Sequence, residues 1–186
     1  MLKVGYKEWS GVCEALGAGA QTLLLRKGGI AEGKSGFAFR HPRFYLLPTL
    51  FHQQAGLLRW ESGGEKERDE AGCWLVRYEV ELLQEAELRH WEEVEALSPY
   101  HVWQESVVRE RFLDKGVPSI RAALVRVRKL ERTWPWEEGS DLSGCRSWVE
   151  REWREGEAAP ASEPVMAEEK FQALRETVAS LWQSKQ

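Results

Sequence analysis

Apolar positions along this chain change period several times, and each change predicts an element. Trp9, Val12, Cys13 and Leu16 recur at i, i+3, i+4 and i+7 and run into Gly17 and Gly19, which predicts an amphipathic helix over Tyr6 to Leu16 closed by glycine. Gln21-Thr22-Leu23-Leu24-Leu25 is an apolar run of strand length, and predicts a buried strand that leads straight into Arg26-Lys27-Gly28-Gly29. Phe37 to Arg40 and Phe44 to Leu47 flank His41-Pro42-Arg43 and are rich in aromatics, so two more strands or one bent strand are expected, with Pro48 ending the pairing. Glu61 to Ala71 holds seven charges, two glycines and no large apolar side chain, and predicts a solvated loop.

The clearest strand follows. Trp74, Val76, Tyr78, Val80 and Leu82 alternate with Leu75, Arg77, Glu79, Glu81 and Leu83, the period of a half-buried antiparallel strand. Helices are predicted over Glu85 to Leu97, stopped by Ser98-Pro99, and over Gln104 to Leu113, closed by Lys115-Gly116. Val125 and Val127 alternate with Arg126 and Arg128 in a last long strand, Ala122 to Arg128. Gly144 to Val149 reads as a terminal strand or turn. Residues 155–166, rich in alanine, proline and glutamate, read as a flexible spacer. Beyond them Phe171, Leu174, Val178 and Leu181 mark an amphipathic helix within 167–186, whose single stripe must dock on the domain or on a partner.

Helix, short strands, helices, strand and helical tail together predict an α+β fold: one compact domain over residues 1–154 with a mostly antiparallel sheet and flanking helices, a small open barrel being one form of it. Composition agrees with a folded chain. The 186 residues are 42% hydrophobic and carry 26 Lys and Arg against 30 Asp and Glu, which excludes disorder as the dominant state and supports one core. No apolar run reaches the roughly 18 residues of a membrane span, and Met1 to Gly11 lacks a signal-peptide stretch, so no membrane association and a cytoplasmic location are expected. Cys13, Cys73 and Cys145 lack C-x-x-C spacing and are read as reduced and structural.

Charge adds a direction. Residues 1–60 hold 8 basic and 3 acidic side chains inside a chain whose net charge is −4, an asymmetry that suggests an anionic ligand near the first third. Arg26, Lys27, Gly28 and Gly29 combine two cations with backbone that a ligand can approach closely, the pairing an oxyanion needs; no Walker or G-x-G-x-x-G spacing is present, and a solvated Gly-Gly turn is the plainer alternative. His41, Arg43 and His52 would join this surface if their segments are neighbours. A zinc site would need a third ligand that no spacing supplies, so no metal and no cofactor are assigned. Tyr100-His101-Val102-Trp103 with Arg109, Arg111, Arg121, Arg126, Arg128 and Lys129 mixes aromatics and arginines as single-stranded nucleic-acid grooves do, against the reading of solvated arginines on an open strand face.

Several of these segments together carry a family resemblance. Lys7-Glu8-Trp9 with Cys13-Glu14-Ala15-Leu16, then Gln21 through Ile30, Phe44 through Pro48-Thr49 to His52-Gln53, Arg111-Phe112, the Arg126 strand and Gly144 to Val149 resemble the bacterial family called domain of unknown function 1802. The resemblance implies identity without mechanism and assigns no catalytic residue. Function is therefore read from side chains: a non-catalytic binding module for an anionic ligand, nucleic acid or nucleotide, with Arg26 and Lys27 on phosphate, Gly28 and Gly29 allowing backbone approach, and His41, Arg43 and His52 orienting the ligand. The alternatives are a metal-dependent phosphodiesterase, with Glu79 and Glu81 holding the ion and a histidine moving protons, and a protein-docking role for the terminal helix.

Overall fold

The computed structural model describes residues 2–27, 37–50, 56–137 and 147–183. Its strands are β1 (Leu2–Trp9), β2 (Leu23–Arg26), β3 (Arg43–Thr49), β4 (Trp74–Leu88), β5 (Ile120–Trp136), β6 (Trp148–Glu152) and β7 (Ser162–Pro164). Its α-helices are α1 (Ser10–Gly17), α2 (Trp91–Glu95), α3 (Glu105–Leu113) and α4 (Glu168–Gln183). The strands form one sheet in the order β2-β5-β4-β3-β1-β6, with β7 added beside β5. Among the described residues β1 and β3 run parallel and the other pairs are antiparallel. This is the expected α+β architecture, but the sheet is not closed into a barrel. A side-chain hydrogen bond joins its two edges, Arg26 Nη2 at the end of β2 donating to Ser147 Oγ, 3.0 Å away, just before β6.

Four local predictions change. Tyr6 to Trp9 is strand and not the start of a helix: Gly5 to Trp9 pair with Tyr45 to Thr49 of β3, and Leu2 to Tyr6 pair with β6, so the helix begins only at Ser10. Glu85 to Leu88 continue β4, because Ile120 to Ala123 of β5 lie alongside, and the helix shrinks to Trp91–Glu95. Pro48 lies inside β3, opposite Glu8; pairing with β4 ends at Tyr45, so a residue lacking an N–H costs no hydrogen bond on that side. Phe37 to Arg40 carry no strand and place Phe37 and Phe39 in the core.

The period of two on β1 divides its side chains between two apolar clusters. Tyr6 belongs to the large core with Val12, Leu16, Leu24, Phe44, Val80, Trp103 and Val125. Lys3 and Lys7 turn the other way: Lys3 Nζ lies 5.0 Å from the Trp136 ring and Lys7 Nζ 5.2 Å from the Trp74 ring, both rings in the smaller cluster with Leu47, Trp134 and Val149. Within the stretch read as a spacer, Ser162 to Pro164 pair with Leu130 to Arg128 as β7. From there α4 lays Phe171, Val178 and Trp182 onto the domain, and Arg126 of β5 pairs with Glu168. Among the described residues no helix is long and apolar enough to cross a membrane.

Candidate functional site

Four segments converge around β1. The alternation that buries Tyr6 also turns Glu8 inward, where it is 1% exposed. Glu8 Oε1 accepts from Trp9 N at 2.8 Å, and Oε2 is buried with no hydrogen-bond partner among the described residues. Trp103, fully buried between α2 and α3, packs edge-on against Trp9 with ring centroids 4.7 Å apart. From α3, Arg111 follows Val107 and Val108 at i+4 and i+3, so the buried face of that helix carries it inward. Its guanidinium lies 3.8 Å from the Trp103 ring centroid and 5.3 Å from that of Trp9. Arg111 Nη1 is buried and likewise has no hydrogen-bond partner among the described residues.

Burial pushes the Arg111 pKa down; the Glu8 carboxylate opposes that shift and the Arg26 guanidinium reinforces it. Two cations and one carboxylate therefore share one low-dielectric region, with Trp9, Arg26 and Arg111 partly exposed at its rim. Arg26 stacks 5.7 Å from the Tyr6 ring while reaching Ser147. Tyr6 in turn meets Trp148 at 4.8 Å, and Trp148 meets Phe44 at 5.1 Å and His41 at 4.9 Å. His41 Nε2 lies 3.0 Å from Glu150 Oε1 on β6. Arg26 and His41 thus touch one continuous aromatic cluster.

The other expected site residues are distributed differently. Lys27 Nζ donates to the backbone oxygens of Phe112 (3.3 Å) and Ser119 (3.0 Å) and also reaches Val117, so it ties β2 to the loop after α3. Arg43 is exposed and faces Glu81 of β4 at 3.7 Å. Gly28, Gly29 and His52 lie outside the described residues, as do Gly144, Cys145 and Arg146. Of the arginines grouped with Tyr100 to Trp103, only Arg111 stacks on Trp103. Arg109 lies over Trp91 at 4.1 Å, Arg121 faces Glu85 at 3.7 Å, and Arg128 donates to Ser162. His101 is buried, its Nδ1 accepting from Trp103 N at 3.2 Å, and desolvation, with the charge of Arg59 second, pulls its pKa down to about 4.

Glu79 and Glu81, the residues of the phosphodiesterase alternative, stand on β4 with partners. Glu79 Oε2 accepts from Ser162 Oγ at 2.9 Å, and Glu81 faces Arg43. Among the described residues no three His, Cys, Asp or Glu side chains are arranged to hold a metal ion.

A family model described as a domain of unknown function, DUF1802, matches residues 5–177. No curated protein matches the chain. Among solved structures the chain is similar to the ASCH protein of Zymomonas mobilis, with 12% identity, 94% of each chain covered and a TM-score of 0.48. It is also similar to two mutant forms of that protein. One has 12% identity, 94% of this chain and 96% of the other covered, and a TM-score of 0.44. The second has 14% identity, 94% and 95% covered, and a TM-score of 0.40.

Proposed function

The chain belongs to the domain of unknown function family DUF1802, and from its side chains we propose that it is a non-catalytic binding module for a nucleic acid or nucleotide. The observation that supports this most is the stacking of Arg111 on Trp103 and Trp9 beside Arg26 and Tyr6. A partly exposed guanidinium over an indole can still present N–H donors to phosphate or base acceptors, and the partly exposed Trp9 ring beside it offers a stacking surface, the combination used for single-stranded nucleic acids. Arg26 would contact phosphate at the rim. His41 would orient the ligand from the far side of the aromatic cluster. Lys27 has a supporting role, fixing the loop after α3 near Arg26, and Arg43 would add only a peripheral charge.

Binding of a labelled single-stranded oligonucleotide across a salt series tests this reading. The wild-type chain should bind at low salt and weaken as salt rises. Arg26→Ala and Arg111→Ala should each reduce affinity about tenfold or more, since stacking and charge contacts at such sites are worth roughly 1–3 kcal/mol. Arg43→Ala should change it least. No affinity for any oligonucleotide at low salt would remove the proposal.

A further inference from the structure

A cavity of about 430 Å³ opens where the end of β3 meets the chain leading into β4. Pro48, Thr49 and Leu50 line one part of it, Lys66 and Arg68 another, and Trp74 forms a wall. That volume is of the size that holds a small molecule. The cavity lies on the other side of β1 from Arg111. The strand's period of two turns Lys7 towards Trp74 in the smaller apolar cluster, while Glu8 faces the opposite way.

Positive charge gathers at this cavity. The Arg68 guanidinium lies 4.2 Å and Lys7 Nζ 5.2 Å from the centroid of the Trp74 ring. The Lys66 ammonium is exposed and makes no ion pair among the described residues. Glu67 is the one carboxylate among the described lining residues, so the cations outnumber it. The chain that carries Lys66 and Arg68 is held in place from several directions. Glu14, 9% exposed, accepts from Ser62 Oγ at 2.7 Å and from Gly63 N at 2.6 Å. Arg77 Nη2 donates to the Lys66 carbonyl at 2.8 Å, and Leu75 N donates to that of Glu67 at 2.8 Å. Such fixing lowers the cost of ordering the cations around a ligand. An excess of two cations suits a doubly charged group, which a phosphomonoester supplies near neutral pH and a carboxylate does not. Pro48 and Leu50 add apolar surface for the rest of the molecule. We propose that this cavity binds a small phosphomonoester with an apolar body, Lys66 and Arg68 taking the phosphate and Pro48 and Leu50 the body.

Calorimetric titration of the full chain with phenyl phosphate, benzoate and inorganic phosphate, at a pH of about 7.5 where the ester is a dianion, decides the matter. Phenyl phosphate should saturate with a dissociation constant below about 1 mM. Benzoate lacks the second charge and inorganic phosphate lacks the apolar body, so each should bind at least tenfold more weakly. Lys66→Glu changes an exposed side chain and should weaken phenyl phosphate tenfold or more, whereas Lys66→Arg should keep most of the affinity. Arg111→Ala should leave it unchanged, because the cavity shares no residue with the nucleic-acid surface proposed above. Thermal melting of each variant shows that it is folded. No saturable binding of phenyl phosphate overturns the inference whatever the variants do. So does equal wild-type affinity for benzoate or for inorganic phosphate, or an unchanged affinity in Lys66→Glu. A loss in Arg111→Ala as large as that in Lys66→Glu also overturns it, by moving the ligand to the other surface.

Discussion

His101 shows what burial does to a single side chain in this fold. Its imidazole is 5% exposed, accepts a backbone N–H from Trp103, and titrates near 4 in place of the ordinary 6.5. A histidine whose folded pKa is lowered stabilises the protein fully above pH 6.5, and that stability is lost as pH falls from 6.5 towards 4, because the unfolded chain binds the proton first. The full effect is roughly 3 kcal/mol at 1.36 kcal/mol per pH unit. Urea midpoints measured between pH 7.5 and 4 should therefore fall in the wild type and fall less in His101→Gln. Identical pH slopes would contradict the assignment. Lys27 lends itself to a second residue-scale test. Its ammonium ties β2 to the carbonyls of Phe112, Val117 and Ser119, so Lys27→Met should lower stability by about 1–3 kcal/mol in denaturant unfolding. Arg26 was legible as a candidate because charge and glycine sit together in the chain. Glu8 was not, since its inward orientation depends on reading Tyr6 to Trp9 as a strand. Arg111 carried a local signal in its spacing from Val107 and Val108, but its meeting with Trp9 is a contact across about a hundred residues of chain.

At the scale of elements, helical and strand periods compete where one element hands over to the next. Trp9 satisfies both: it ends β1 and stands as the N-cap of α1, with φ −62° and ψ 139°. The helical spacing that begins at Trp9 was legible, while the preceding Val4, Tyr6 and Glu8 alternation became decisive only when β3 and β6 supplied pairing on both sides. The same holds for Glu85 to Leu88, whose helical propensity gives way to the ladder with β5. By contrast, the Trp74 to Leu82 alternation and the Val108 and Phe112 spacing needed nothing beyond local pattern. The end of α1 has its own test. A Cβ on Gly17 would lie 2.1 Å from Cζ of Tyr78, whose ring is buried beneath it. Gly17→Ala should destabilise by about 1–3 kcal/mol through overpacking, despite the better helix propensity of alanine. A gain in melting temperature would contradict this packing.

For the whole molecule, the C-terminal segment is packed into the fold. β7 pairs with Arg128 to Leu130, and α4 buries Phe171, Val178 and Trp182 against the sheet. Removing residues 155–186 should cost several kcal/mol, since each such side chain contributes about 1.5–3 kcal/mol on burial, and should broaden or abolish the unfolding transition. A truncated chain as stable as the full one would show that this docking adds nothing. The sheet itself curls until Arg26 from one edge reaches Ser147 beside the other, bringing residues from β1, β2, α3 and the start of β6 to one place. The α+β class and mostly antiparallel sheet were legible from alternation and turn residues, but this convergence follows from strand order, which local pattern does not encode. The most direct measurement is titration of tryptophan fluorescence with a single-stranded oligonucleotide at low and high salt, in the wild type and in Arg111→Ala. Saturable quenching that weakens with salt in the wild type, and that is at least tenfold weaker in Arg111→Ala, is the predicted result; unchanged fluorescence in the wild type, or the same affinity in both proteins, would contradict a nucleic-acid site built on Arg111, Trp9 and Trp103.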